Sequence, residues 1–247
     1  MHRTAAILAI GDELTLGQKL DTNSRWLSAR LVDLSVMPTV HITVPDDRVE
    51  HACILTELAR THDLIFSTGG LGPTEDDLTR HALADALGEQ LIDDPSALEV
   101  LRAHAASRGH ELTPARRMQA MRPASARMLP NPNGTAPGLH ARLQQTDIFC
   151  LPGPPREMMP MFEACVVPVI RTDPHHAITT RVLQTFGLPE AEIGTRLADL
   201  MQRGTNPIVG TTASGGVVSV RIRYEGDADL GKRAIADTEN AVRERLA

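Results

Sequence analysis

Aromatic residues are scarce in this 247-residue chain: one Trp, one Tyr and four Phe, 2% of the sequence. So few rings make a platform for stacking successive bases hard to assemble, and they leave the core to Leu, Val, Ile, Ala and Met. Cysteine is equally thin. Cys53, Cys150 and Cys165 are odd in number, far apart and flanked by apolar residues, which argues against a disulfide framework or a thiolate zinc site and reads as buried thiols of a cytoplasmic protein. Positive charge is not in excess: 25 Lys+Arg against 31 Asp+Glu give a formal net charge of −6, which repels nucleic acid and anionic membranes. No run reaches the length of a membrane span. The opening MHRTAAILAIGDEL meets acids too soon for a signal-peptide core, so the chain is expected to be neither anchored nor exported. What remains, 42% hydrophobic and 23% charged residues, is the composition of a globular protein.

Hydrophobic periodicity predicts a strand at Thr4–Ile10, a helix at Asn23–Leu34, a strand at Thr39–Val44, a helix at Arg48–Arg60 and a strand at Asp63–Ser67. Helices are expected next at Thr74–Leu87, Pro95–Ser107 and Thr113–Met121, then strands at Arg127–Leu129 and Asp147–Leu151 and a helix from Glu157 to about Ile170. Continuous apolar strands joined by short connections indicate an α/β fold with a doubly wound, mainly parallel sheet. The polar, Pro174-containing RTDPHHAIT (171–179) reads as a linker, with His175 and His176 solvated, which divides the chain at 1–171 and 172–247. The second part predicts strand Thr180–Phe186, helix Glu190–Met201, strand Pro207–Thr211, a turn at Ser214-Gly215-Gly216, strand Val217–Tyr224 and helix Asp229–Leu246. This β-α-β-β-α order makes a second, smaller α+β domain.

The stretch STGGLGPTEDDLTR (67–80) places three glycines at the carboxyl end of a buried strand, where open α/β sheets bind ligands. Glycines let a ligand approach the backbone, and the N–H groups of a following helix suit phosphate. A purely structural reading competes. Thr74 with Asp77 matches a capping box, and Glu75, Asp76 and Asp77 favour the helix dipole unaided. Yet three carboxylates would repel the phosphate that the glycines accommodate, a conflict resolved by a divalent cation held on Asp76 or Asp77 and bridging to a diphosphate. A Walker A loop is excluded because Gly11 to Lys19 ends GQKL, and Glu75 stands where a dinucleotide fingerprint needs its third glycine. A second loop, GDELTLGQKLDTN (11–23), follows the first strand. There Asp12 is read as a further metal carboxylate or a group that polarises water, and Thr22 or Asn23 as a helix cap. LPNPNGTAPG (129–138) and LPGPPREM (151–158) are rigid, glycine-containing loops suited equally to cradling a ligand or to leaving a strand.

These four motifs, GDELTLGQKLDTN, TGGLGPTEDD, NPNGTAPG and LPGPPREM, resemble in content and order those of the competence/damage-inducible protein A (CinA) family. The resemblance runs almost end to end and implies a molybdopterin-cofactor-binding-like domain over 1–171 and a KH-like domain over 172–247. It implies hydrolysis of the phosphoanhydride of ADP-ribose or a related dinucleotide, dependent on a divalent metal of the Mg, Mn or Co type, with potassium a further candidate. Carried over by position, it assigns phosphate and nucleotide contacts to Gly11, Thr68, Gly69, Gly70, Gly72 and Thr74, and further cleft wall to Asn131, Gly134, Thr135, Pro154 and Glu157. Catalytic roles fall to Asp12 and Asp77, and metal ligation to Asp12, Glu13, Asp76 and Asp77. Molybdopterin adenylyl transfer and a non-catalytic nucleotide-binding module are the alternatives. The expected partner is a small nucleotide diphosphate, with no nucleic acid or membrane, in a homo-oligomer of which a dimer is favoured. Nucleic-acid binding through the KH-like part is disfavoured, because its only double glycine, Gly215-Gly216, lies in a hairpin rather than in a GxxG loop between helices. The family's C-terminal deamidase is not represented in the sequence to Ala247, so no ammonia release from nicotinamide mononucleotide is expected.

Overall fold

A computed structural model describes all 247 residues as two compact units, Met1–Leu31 with Val36–Arg171 and Thr172–Ala247 with Val32–Ser35. The first unit runs β1 (Thr4–Ile10), α1 (Asp12–Thr15), α2 (Thr22–Asp33), β2 (Met37–Val44), α3 (Arg48–Leu58), β3 (Leu64–Thr68) and α4 (Thr79–Leu87). It continues with β4 (Leu91–Asp93), α5 (Pro95–Ala106), α6 (Pro114–Arg117), β5 (Met121–Pro123), β6 (Arg127–Leu129), β7 (Gly138–Leu143), β8 (Thr146–Leu151) and α7 (Pro155–Met161). Six strands form one sheet in the order β2-β1-β3-β8-β7-β6, parallel from β2 to β8 and antiparallel at the β7 and β6 edge.

Alternation along β1 explains the layering. Ala6, Leu8 and Ile10 pack on one sheet face with Leu55, Leu83 and Ile148. Ala5, Ile7 and Ala9 are equally buried and, by the two-residue period of a strand, belong to the opposite face. Three of the four phenylalanines and the lone tryptophan gather in one cluster: Phe66 stacks on Phe149 at 5.5 Å and lies 5.7 Å from Phe162, which meets Trp26 edge-on at 5.4 Å.

Several boundaries differ from the sequence reading, each for a local reason. β7 was not anticipated, because His140 and Arg142 interrupt its apolar pattern and its hairpin turn uses Gln144 at φ 57 rather than a glycine. β4 and β5 are three-residue strands, too short to show a period. α4 begins at Thr79 instead of Thr74, and no carboxylate lies in its first turn. α7 ends at Met161, before a widened turn at Phe162–Val166. Pro160 has no N–H for the Arg156 carbonyl four residues back, and that carbonyl instead accepts from Asn133 Nδ2 at 3.0 Å. Of the cysteines only Cys150 is fully buried, its thiol pushed up to about 12 by desolvation, whereas Cys53 is exposed and Cys165 intermediate.

The second unit contains β9 (His176–Phe186), α8 (Glu190–Arg196), β10 (Ile208–Ser214), β11 (Val217–Asp227) and α9 (Ala228–Leu246), with an antiparallel sheet in the order β10-β11-β9. Leu183, Val220 and Ile222 from the strands and Ile193, Ile235 and Val242 from the helices form its core. Gly215 and Gly216, at φ 58 and 78, make the two-residue turn that closes the hairpin. The expected linker is shorter than read: β9 starts at His176, which pairs with Asp227 in the ladder and brings its ring to 3.8 Å from Glu225, so it is not a solvated linker residue. No helix is long and apolar enough to cross a membrane.

One buried group makes the first unit acid-sensitive. His51 on α3 lies against Ser67 Oγ at 3.2 Å and is 1% exposed, and burial holds its imidazole down at about 4. Between the unfolded value near 6.5 and about 4, the unfolded chain binds a proton that the folded state refuses. Stability contributed by the neutral ring is therefore present above about pH 6.5 and falls as pH drops through this window. Lowering pH from 7 to 4 should cost on the order of 3 kcal/mol through His51 alone. Denaturant titrations of wild type and His51→Gln should show a shallower pH slope in the variant; equal slopes would refute the assignment.

Candidate functional site

Gly11 follows β1 and Gly69 follows β3. From β1 the chain crosses to β2 on one side and then returns past β1 to β3 on the other, so the carboxyl ends of β1 and β3 flank the topological switch point, where open α/β sheets hold ligands. A cleft of about 590 Å³ opens there.

Its floor is the glycine loop. Gly69 has φ 108, and a Cβ on it would lie 2.5 Å from the Ile10 carbonyl oxygen; its N–H donates to Leu151 O at 3.1 Å. Gly70 has φ 63, and a Cβ there would strike Thr79 Oγ1. Thr79 closes the loop, its hydroxyl donating to Gly69 O at 2.8 Å and its N–H to Gly70 O at 3.1 Å. From beneath, Arg80 donates Nη2 to Leu71 O at 2.8 Å and Nη1 to Gly72 O at 3.3 Å. It is 2% exposed, and desolvation lowers its guanidinium to about 10, so the group stays charged at neutral pH. The N–H groups of Gly70 and Gly72 have no backbone acceptor.

Gly69→Ala combines a disfavoured φ with overpacking against a fixed carbonyl. It is expected to cost roughly 2–5 kcal/mol and to disrupt the loop. A thermal midpoint within a degree of wild type would contradict the tight approach of β1 and the loop.

Half of the capping box expected at Thr74 forms: the Asp77 carboxylate reaches back to the Thr74 N–H, but the Asp77 N–H goes to Thr74 O at 3.1 Å rather than to the Thr74 hydroxyl. Asp77 Oδ2 accepts from the Thr74 N–H at 2.8 Å and also from the Thr74 hydroxyl at 2.5 Å, holding residues 74–77 as a turn ahead of α4. Asp76 and Asp77 line the cleft, whereas Thr74 does not. Likewise Asp21, not Thr22 or Asn23, caps α2, accepting from Ser24 N–H at 2.9 Å. Glu13 lines the cleft and pairs with Lys19 at 3.3 Å.

Asp12 lies off the wall. It exchanges hydrogen bonds with Asp46: its N–H donates to Asp46 Oδ2 at 3.0 Å, and its Oδ1 accepts from the Asp46 N–H at 3.2 Å. Asp46, which sequence reasoning passed over in the turn between β2 and α3, is the member of this pair that lines the cleft. Burial raises its carboxyl above the ordinary aspartate value, and the charges of Asp12, Asp76 and Glu13 push in the same direction.

The opposite wall comes from the two proline-rich loops. Glu157 is 8% exposed, and its Oε2 accepts from Asn131 Nδ2 at 2.8 Å; Asn131 Nδ2 also reaches Ala136 O at 2.9 Å. A side chain at Gly134 would collide with Glu157, which explains the glycine. Thr135, Pro154 and Glu157 line the cleft along with Gly11, Thr68, Gly69, Gly70 and Gly72, while Asn131 and Gly134 stand behind it as supports. Two further residues missed from sequence lie on the wall. Asn23 donates Nδ2 to Gly153 O at 2.8 Å, and Gln119 is 1% exposed; the buried Asn23 Oδ1 and Gln119 Oε1 have no partner in the protein. Nothing in the local sequence marks Gln119 as a site residue, and Asn23, at the end of the GDELTLGQKLDTN motif, reads only as a helix cap.

Glu13, Asp21, Asp46, Asp76, Asp77 and Glu157 thus face one ammonium, Lys19, which is itself paired. A bare diphosphate is repelled by such a wall. No three His, Cys, Asp or Glu side chains converge as a ready-made metal cage. The all-oxygen donors fit a hard divalent ion taking one or two carboxylates, with Asp76 and Asp77 on the loop the nearest set, and completing its shell with phosphate and water.

Comparison with known proteins agrees with this architecture. Residues 6–172 match the family described as "Probable molybdopterin binding domain", and residues 180–247 match the "Damage-inducible protein CinA KH domain". A "CinA-like protein" of Geobacter metallireducens is 42% identical over 244 residues, and a Levilactobacillus brevis protein named for competence-damage induction is 34% identical over 246; each alignment covers 98% of this chain. The chain spans 59% of the length of these relatives. The solved structure of a CinA protein of unknown function from Thermoplasma acidophilum matches 68% of this chain and 99% of its own, at 32% identity and TM-score 0.64.

Proposed function

The chain belongs to the CinA family, and from that premise and the geometry of the cleft we propose that it is a metal-dependent pyrophosphatase acting on ADP-ribose or a related nucleotide diphosphate. The observation that carries this reading is the pairing of a glycine floor with a wall of carboxylates, which suits a diphosphate that arrives with a cation. The Gly70 and Gly72 N–H groups, without a partner in the protein, are free to donate to an anion, and the buried, unpartnered acceptors Asn23 Oδ1 and Gln119 Oε1 on the cleft wall suit ribose hydroxyl donors. When bound, the divalent ion neutralises charge on the diphosphate oxygens. The protein's own part is to hold the glycine loop rigid through Arg80 and Thr79, to keep Glu157 fixed through Asn131, and to accept a proton from the attacking water. Asp46 suits that last role, since burial and like charges raise its affinity for a proton. Water adds to one phosphorus, the bridging P–O bond breaks, and the products are a nucleoside monophosphate and a phosphosugar.

The match to a family described as molybdopterin-binding favours adenylyl transfer to a pterin phosphate as the second reading. A panel of nucleotide diphosphates with Mg²⁺, Mn²⁺ or Co²⁺, with and without added potassium and analysed by product, separates the two. Hydrolysis of ADP-ribose that chelator abolishes supports the proposal. Adenylylation of molybdopterin without hydrolysis of any member of the panel rejects it.

A further inference from the structure

A second cavity, of about 770 Å³, opens at the other end of the same sheet, at the amino ends of β1, β3, β8 and β6. His2, Arg127, His140, Arg142, Asp147 and Arg171 line it. Its acids are already engaged. Asp147 Oδ1 accepts from His140 Nε2 at 2.7 Å, and its Oδ2 lies 3.2 Å from His2 Nε2. His2 Nδ1 accepts the Arg171 N–H at 3.1 Å, which leaves the ring hydrogen on Nε2, facing Asp147. His140 in turn is stacked on Phe149, centroids 4.4 Å apart and planes 5° from parallel. Asp63, also on the wall, accepts from the Arg3 and Thr4 N–H groups at 2.8 and 3.0 Å and from the Thr4 hydroxyl at 3.2 Å.

The guanidinium groups form no close ion pair, although the Arg142 charge acts on Asp147, its neighbour across the β7–β8 ladder. Arg142 reaches only Gln145 Oε1, at 3.1 Å, and the Arg127 and Arg171 side chains form no ion pair or hydrogen bond. Elsewhere on the surface Arg48 and Arg117 lie within 2.6 Å of a carboxylate oxygen, whereas the Arg25, Arg60 and Arg203 side chains form no ion pair or hydrogen bond, so what sets the three apart is that they gather around one cavity. On a protein of net charge −6, three such forks around one cavity are a local concentration of positive charge.

We propose that this cavity is a binding site for a phosphate-bearing small polyanion, distinct from the glycine cleft and independent of metal. Planar guanidinium forks match phosphate oxygens in pairs, and the volume falls within the range of small-molecule sites. The His2–Asp147–His140 chain forms a fixed rim, and the negative charges of Asp147 and Asp63 are outweighed by the three guanidinium groups.

The test uses inorganic pyrophosphate as the probe, with chelator present so that any cation-bridged site is silent, and calorimetric titration of the full chain. Saturable binding of one pyrophosphate per chain is expected. Arg127→Ala/Arg171→Ala should weaken it by about tenfold or more, and Arg127→Lys/Arg171→Lys should lose less, since the charges remain without the fork. Both residues are exposed and unpartnered, so the variants should stay folded. Asp76→Asn in the glycine cleft should leave this affinity unchanged, and Arg60→Ala/Arg102→Ala, which removes the same charge elsewhere, should lower it less than twofold. Absence of saturable uptake at millimolar pyrophosphate overturns the proposal. So does an equal loss in the Arg60/Arg102 control, or a chelator-insensitive affinity that follows Asp76 instead of the arginines.

Discussion

Asp76→Asn is expected to lower metal-dependent hydrolysis of ADP-ribose by roughly two or more orders of magnitude while leaving the thermal midpoint almost unmoved. The side chain is exposed, lines the cleft and makes no hydrogen bond within the protein, so its removal deletes charge and a donor oxygen with little structural cost. Asp77→Asn should fall similarly in rate but also weaken the clasp on Thr74, adding about 1 kcal/mol of destabilisation. Asp46→Asn tests the proton acceptor, and Asp12→Asn, acting through the position of Asp46, should have the smaller effect of the two. Ligand affinity carries the discriminating sign. If no cation enters the cleft, deleting one carboxylate relieves repulsion and tightens nucleotide binding. If a cation bridges loop and diphosphate, the same deletion weakens binding, and only when divalent metal is present. Tighter binding by Asp76→Asn, indifferent to chelator, would reject the pyrophosphatase reading.

Arg80→Ala should be the most damaging single change to the fold of the first unit. It strips the Leu71 and Gly72 carbonyls of charge-assisted donors and leaves a void beneath the loop, at a cost of roughly 3–5 kcal/mol. In a unit of this size that corresponds to a fall in Tm of about 6–20 °C. Arg80→Lys keeps a charge but cannot present a planar fork to two carbonyls, so it should fall between the two. Calorimetry decides the matter. A Tm within two degrees of wild type for Arg80→Ala would mean that the loop is held by Thr79 alone, and the account given of Arg80 would be wrong.

Arg80 also shows where reading a sequence stops. Placed three residues after an acidic run, it carries no local mark of burial, and only the return of α4 beneath the loop encloses it. Glycines were more legible. Gly69 and Gly70 announce a backbone that no side chain could follow, and φ values of 108 and 63 with the Ile10 carbonyl and Thr79 hydroxyl alongside are the structural counterpart. The TEDD run shows the opposite case. Thr74 and Asp77 have the spacing of a capping box and make half of one, but it closes a turn ahead of α4 rather than the first turn of the helix, because Thr79 ties the loop back to Gly69 and Gly70 and so sets the start of α4.

By itself, the sequence determined the alternation of strands and helices, the parallel character of the sheet and the end of its strands at which the cleft opens, because periodicity, turn chemistry and glycine placement act over a few residues and survive any packing. The ordered motifs added the family. Tertiary structure alone decided which carboxylates meet. Asp46 reaches the cleft because β2 lies beside β1, which brings it to Asp12 across 34 residues of chain, and Glu157 reaches it because Asn131 docks one proline-rich loop onto the helix after the other. The burial of Arg80 and the gathering of Arg127, Arg142 and Arg171 around a second cavity were decided in the same way. Long-range proximity depends on strand order and on which face of a helix is covered, and charge, unlike hydrophobicity, leaves no period along the chain from which that proximity can be read.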